Sequence, residues 1–247
     1  MEKISKKVVL GLMAASTIVI AGSANATCKD INRNDLQSSL NGIVGTAGGF
    51  GLPMWATFVD ESGKICAVVT SGDAGAMASR SEWLGSRVIS AQKANTANAF
   101  SINGVSISSG ALMAAVQPGG SLFGLSDSNP VDASNAYKGN PVQYGQKSDP
   151  LVGKRIGGVN TFGGGLAVYK NGVKIGALGV SGDTSCTDHA TVWALRADLG
   201  LESGFADFPA GGGFERLTIS PTFTNLGDHS DCYNSAPIAG NAAFGFN

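Results

Sequence analysis

The stretch 174–201, KIGALGVSGDTSCTDHATVWALRADLGL, constrains the fold more than any other, because a strand, a tight turn and a helix must follow one another in it without a break. Residues 175–180 are apolar and bounded by glycines, which suits a short buried strand. Ser181-Gly182-Asp183 interrupts that pattern. Thr184, Ser185 and Thr187 then offer hydroxyls for a helix cap, and Asp188 places negative charge in the first turn. The predicted helix runs to Leu199 and stops at Gly200. Cys186 and His189 stand at its start, three residues apart, and His189 is one of only two histidines in the chain.

What precedes this stretch extends it into a sheet. Asn171-Gly172 is a two-residue hairpin signal joining 166–169 to the strand at 173–180. Residues 54–60 and 64–70 form a second β-prone pair around Glu61-Ser62-Gly63, closed by Ser71-Gly72-Asp73, the same tripeptide that follows the later strand. A helix is predicted over 35–44 with Asn34 as its cap. The longest helical pattern starts at a capping box of Ser79 and Glu82 and carries Trp83, read as a core anchor, Leu84, Val88, Ala91, Ala94, Ala97 and Phe100. Turn chemistry then dominates residues 101–155, with a short strand or helix at 106–116; a segment of this length reads as a functional loop region or an interface. One β-prone piece follows at 215–219. The order of elements predicts one α+β domain spanning 27–247.

The first 26 residues stand apart. Lys3, Lys6 and Lys7 precede an apolar run too short for a comfortable membrane span, and Ala24-Asn25-Ala26 is a small-x-small cleavage site, so 1–26 reads as a secretory signal peptide. The mature protein is then exported, periplasmic or secreted, with no membrane segment. Its charge falls from −1 to −3 with the loss of three lysines and one glutamate, which argues against nucleic acid or an anionic membrane as partner. All four cysteines, Cys28, Cys66, Cys186 and Cys232, remain and meet an oxidising compartment, where disulfides in one of three pairings are the default. The 36 glycines show no three-residue period and predict ordered loops.

One constellation carries chemistry. Cys186-x-x-His189 and His229-x-x-Cys232 have the donor types of a Cys₂His₂ zinc site, the alternative metal reading. The oxidising compartment favours a Cys186–Cys232 disulfide, which would bring His189 and His229 together. Paired imidazoles are candidate ligands for haem iron, with Met77, Tyr137 and Lys93 as further candidates. Asp73 and Asp183, each after Ser-Gly, read as turn or cap residues. There is no nucleophile elbow, no His-Glu-x-x-His, no P-loop and no Cys-x-x-Cys-His, so no catalytic residue is assigned.

Ser90-x-x-Lys93-Ala94-x-Thr96-Ala97-x-x-Phe100, Gly157-Gly158 with Gly163-Gly164-Gly165, and Ile175-Gly176-Ala177-Leu178-Gly179-Val180-Ser181-Gly182 followed by Asp188 resemble the GlcG/HbpS haem-binding family, which includes the C-terminal domain of PduO-type proteins. The resemblance covers about residues 52–201. It implies a profilin-like α+β fold, an antiparallel sheet packed by helices, together with homo-oligomeric assembly and haem as cofactor. The loops at 117–140, Cys186 and the tail to Cys232 resemble an exported subgroup. The leading expectation is an exported haem- or tetrapyrrole-binding protein acting in haem sequestration, sensing or degradation. The alternatives are an accessory factor or enzyme for a small oxygenated metabolite, using a pocket at Lys93 or Asp183, and a structural assembly protein.

Overall fold

Two hairpins build the sheet. The computed structural model describes residues 28–201, 214–233, 238 and 240–247, so the expected signal peptide at 1–26 lies outside the described residues. After helix α1 (Arg33–Ile43), strands β1 (Trp55–Asp60) and β2 (Ile65–Thr70) pair antiparallel, their turn held by Asp60 Oδ1, which accepts from the Ser62 and Lys64 amides. Two helices follow, α2 (Ala78–Ser81) and α3 (Leu84–Ala99), then a long loop region with the single turns α4 (Leu125–Ser128) and α5 (Ala133–Ala136). Strands β3 (Gly165–Lys170) and β4 (Val173–Ser181) form the second hairpin. Asn171 and Gly172 take φ of 51° and 77°, the left-handed pair that a two-residue turn requires. β4 then pairs antiparallel with β1, giving the order β2-β1-β4-β3.

Strand alternation assigns the two faces. Trp55, Val59, Val68 and Ala177 point to α3, where Val88, Ala91, Ala94 and Ala97 present a small-residue surface. Ala56, Phe58, Val69, Leu178 and Val180 point the other way, onto α1 and onto α6 (Ser185–Asp198). Beyond α6, the pairs β5 (Thr218–Ile219) and β6 (Asp228–His229) form a short parallel ribbon. Phe246, Leu217 and Ile238 pack there on Cys186 and Ala190. Buried Glu215 anchors this C-terminal part by pairing with Arg196 of α6, whose Nη1 also donates to the Ala167 carbonyl.

The structure corrects three local expectations. Asn32, not Asn34, caps α1, because Asn32 Oδ1 accepts from the Asn34 amide 2.8 Å away. The Ser79/Glu82 capping box does not form. Glu82 is buried and turns back to accept from the Asp73 amide, while its carbonyl accepts from Trp55 Nε1. These two bonds break the helix after α2, leaving Trp83 at φ 47° and 59 % exposed. Trp55, fully buried against α3, is the anchor that Trp83 was expected to be. Within 106–116 the chain forms only a 3₁₀ turn, Gly110–Leu112.

Candidate functional site

The start of α6 gathers most of the residues singled out by the sequence. Thr184 caps the helix by accepting from the Thr187 amide, and Asp183 Oδ2 accepts from the Phe50 and Leu52 amides, fastening the glycine-rich loop 48–52 over it. Asp183 is thus a turn residue, the cap being Thr184. Lys93 leaves α3 on the opposite face, passes the end of β3 and donates to the Val180 carbonyl at 3.1 Å and to Asp188 Oδ2 at 2.7 Å. Room for this crossing comes from Gly164, whose missing Cβ would stand 3.1 Å from Lys93 Nζ and 2.4 Å from the Val180 oxygen. Burial raises the Asp188 carboxyl to about 6, against the opposing pull of Lys93. Lys93 is 1 % exposed, so it faces no open pocket and serves as a tie between the two helical layers.

The two histidines lie beside this tie, both fully buried. His189 Nε2 donates to the Gly245 carbonyl at 3.2 Å, and its ring lies edge-on to Phe246, with centroids 5.6 Å apart. Its Nδ1 has no hydrogen-bond partner among the described residues. Burial, with His229 as the next cause, drives its pKa down to about 3. His229 donates through Nδ1 to the Ser230 carbonyl at 2.8 Å, since a carbonyl can only accept. That leaves the lone pair of Nε2 facing Ser185 Oγ at 2.8 Å.

Cys186 and Cys232 are joined in a disulfide, and Cys28 pairs with Cys66. The four-residue zinc set is therefore not available as read. Cys186, His229 and Cys232 do converge, but both sulfurs are bonded to each other, and zinc requires thiolates. His189 is outside that cluster. The Cys186–Cys232 bond closes a loop across 46 positions; replacing both residues by serine should lower the unfolding free energy by about 2–4 kcal/mol, read from urea denaturation against the oxidised wild type.

Met77 and Tyr137 lie elsewhere, 49 % and 55 % exposed. The Gly75 amide donates to the Tyr144 carbonyl, Tyr144 Oη donates to the Tyr137 carbonyl, and Arg87 reaches the Ala136 carbonyl. These bonds set segment 75–87 against segment 136–146. A buried pair underpins the contact: Arg87 grips Asp149, which also accepts from the Gly145 and Leu151 amides. Within these segments Trp83 and Val142 are also exposed, as are Arg80 and Lys138. Nothing in the spacing of Arg87 and Asp149 announced their pairing, and Ser185 read only as a cap hydroxyl.

The chain matches the family described as haem degrading protein HbpS-like over residues 31–196. No curated protein matches it significantly. Among solved structures, the Klebsiella pneumoniae protein ORFY is 21% identical, with 78% of this chain and 100% of that one covered and a TM-score of 0.48. A PduOC:heme complex is 22% identical over 69% of this chain and 93% of its own, with a TM-score of 0.47. A double mutant of Streptomyces reticuli HbpS is 15% identical over 77% and 97%, with a TM-score of 0.43. The matched span opens just before α1 and closes inside α6, taking in the whole sheet, the Lys93–Asp188 tie and the glycines that make room for it; this chain belongs to the HbpS-like family.

Proposed function

We propose that this protein binds haem after export from the cytoplasm and acts in haem sequestration, sensing or degradation. The observation that carries the reading is the family match across 31–196, whose description is haem degradation. The donor chemistry of the Met77 face fits the group. A thioether and a phenol are both known types of haem-iron ligand, and here they are exposed, the Met77 sulfur accepting from Arg80 Nη2 at 3.0 Å, whereas His189, His229 and Lys93 are buried. Trp83 and Val142 offer apolar surface to a macrocycle, and Arg80 and Lys138 offer charge to its carboxylates. Bound haem supplies a redox-active iron. Met77 or Tyr137 would hold it from this face, with Arg87 and Asp149 fixing the two segments beneath. Export rests on the leader-like segment 1–26 and agrees with two disulfides; among the described residues no helix is long and apolar enough to cross a membrane.

Hemin titrated into the oxidised protein at micromolar concentration is expected to give a Soret band. Met77→Ala combined with Tyr137→Phe should weaken or shift it, and His189→Gln or His229→Gln should leave it in place. No spectral change with hemin would overturn haem binding itself. A band that survives the double substitution but is lost with either histidine would place the iron at the start of α6 instead.

A further inference from the structure

We infer that Ser185 and His229 form a nucleophile and general base able to accept the acyl group of a neutral ester. The pair satisfies the geometric test for an activated serine: a hydroxyl within hydrogen-bond reach of a base whose orientation is fixed by a third group. Ser185 Oγ is 2.8 Å from His229 Nε2, and the bond from His229 Nδ1 to the Ser230 carbonyl selects the tautomer whose Nε2 can take a proton. The Gly163 amide donates to Ser185 Oγ at 2.7 Å, fixing its rotamer without using its second lone pair. Burial lowers the pKa of His229, which keeps the ring neutral and able to act as a base at pH 7.

The hydroxyl also has somewhere to act. Ser185 lines a cleft of about 690 Å³ with Met113, Phe162, Thr184, Ser230 and Tyr233, a size suited to a small organic ligand. Among the described residues no lysine or arginine lines it and Asp231 does, so it favours neutral acyl groups over anionic ones. A donor for the developing oxyanion is present too. In the first turn of α6 the Cys186 amide points to Cys232 Sγ, that of Thr187 to Thr184 Oγ1 and that of Asp188 to the Thr184 carbonyl. The Ser185 amide alone has no such partner among the described residues, and it lies at the positive end of a 14-residue helix.

In the forward step Ser185 Oγ bonds to the ester carbonyl carbon while its proton passes to His229 Nε2. The C–O bond to the alcohol then breaks, and the alcohol leaves with that proton. Water attacks the acyl-serine through the same base, releasing the carboxylic acid and restoring the hydroxyl. None of these residues belongs to the Met77 face, so this activity and haem binding stand or fall separately.

The test uses the full oxidised chain and a fluorophosphonate probe, which phosphonylates an activated serine with loss of fluoride. Peptide mapping should find the adduct on Ser185, and hydrolysis of p-nitrophenyl butyrate should exceed the buffer rate. Ser185→Ala, which leaves the Thr184 cap intact, should lose both, and His229→Gln should slow labelling at least about 100-fold. If His229→Gln does not fold, the pH profile of wild-type labelling replaces it, and the rate should fall in acid as His229 is protonated. No adduct on Ser185, labelling undiminished in a folded His229→Gln, or a rate that rises in acid overturns the inference.

Discussion

Gly179→Ala is expected to be among the most damaging single-methyl changes in this protein. A Cβ at Gly179 would lie 1.9 Å from the Ser90 carbonyl oxygen and 2.5 Å from the Ala94 amide nitrogen, both backbone atoms of α3. A flexible side chain could swing aside, but a helix backbone packed along the sheet must move as a body. Overpacking of this kind costs about 3 kcal/mol or more, which for a domain of this size lowers Tm by roughly 6–12 °C. The same reasoning explains the spacing of the family signature. A Cβ on Gly176 would lie 2.0 Å from the Val59 carbonyl oxygen and one on Gly182 2.4 Å from that of Pro53, so each glycine from Gly176 to Gly182 faces a neighbouring backbone oxygen. Gly42→Ala is the opposing control. It sits inside α1 with nothing within 4 Å of the added carbon, and it should stabilise by up to about 1 kcal/mol. Thermal unfolding followed by circular dichroism separates the two; a loss below about 1 kcal/mol at Gly179 would mean that α3 does not lie this close to β4.

The hairpins and the β4–turn–α6 unit were legible because their determinants are local. Asn171-Gly172 encodes its own left-handed turn, and Thr184 and Asp188 encode the helix start within five positions. Cys186-x-x-His189 and His229-x-x-Cys232 also carried their proximity in their spacing, since a disulfide between the halves places both imidazoles nearby. Trp83 shows where such reading stops. Apolar periodicity ran smoothly from Ser79, and nothing in it marked that Glu82 would be claimed by Asp73 and Trp55 from another part of the sheet. Ser185 reads as one cap hydroxyl among three until His229, 44 positions later, is folded onto it. Lys93 is the sharpest case. Its position in the motif looks like a ligand, and only the fold reveals that its ammonium is already occupied.

Lys93→Met should therefore act on stability first. The change leaves Asp188 as a buried carboxylate without its cation, and breaking such a pair costs about 3–5 kcal/mol. Met fills much of the channel past Gly164, so the loss reports charge more than cavity. The effect must depend on pH with a definite sign. Asp188 has its folded pKa raised from 3.8 to about 6, so its contribution is fully present below the unfolded value and is lost as pH rises through about 6. Removing Lys93 pushes the folded value higher still. The variant's deficit is then greatest above that value and shrinks in acid, where Asp188 takes a proton and no longer needs a partner. His189 and His229, whose pKa values are lowered, work the other way: their stability is lost as pH falls below the unfolded imidazole value of about 6.5. Both proteins carry them, so the comparison must be the difference between variant and wild type. Asp183, whose amide donates to Asp188 Oδ1, is likewise common to both. Urea denaturation at about pH 8 and pH 5 should show a smaller deficit at the lower value, and adding Asp188→Asn to Lys93→Met should recover most of the loss at the higher one. A deficit equal at both pH values, or a double variant no more stable than Lys93→Met, would mean that the buried charge is not what holds α3 and α6 together across the end of β3.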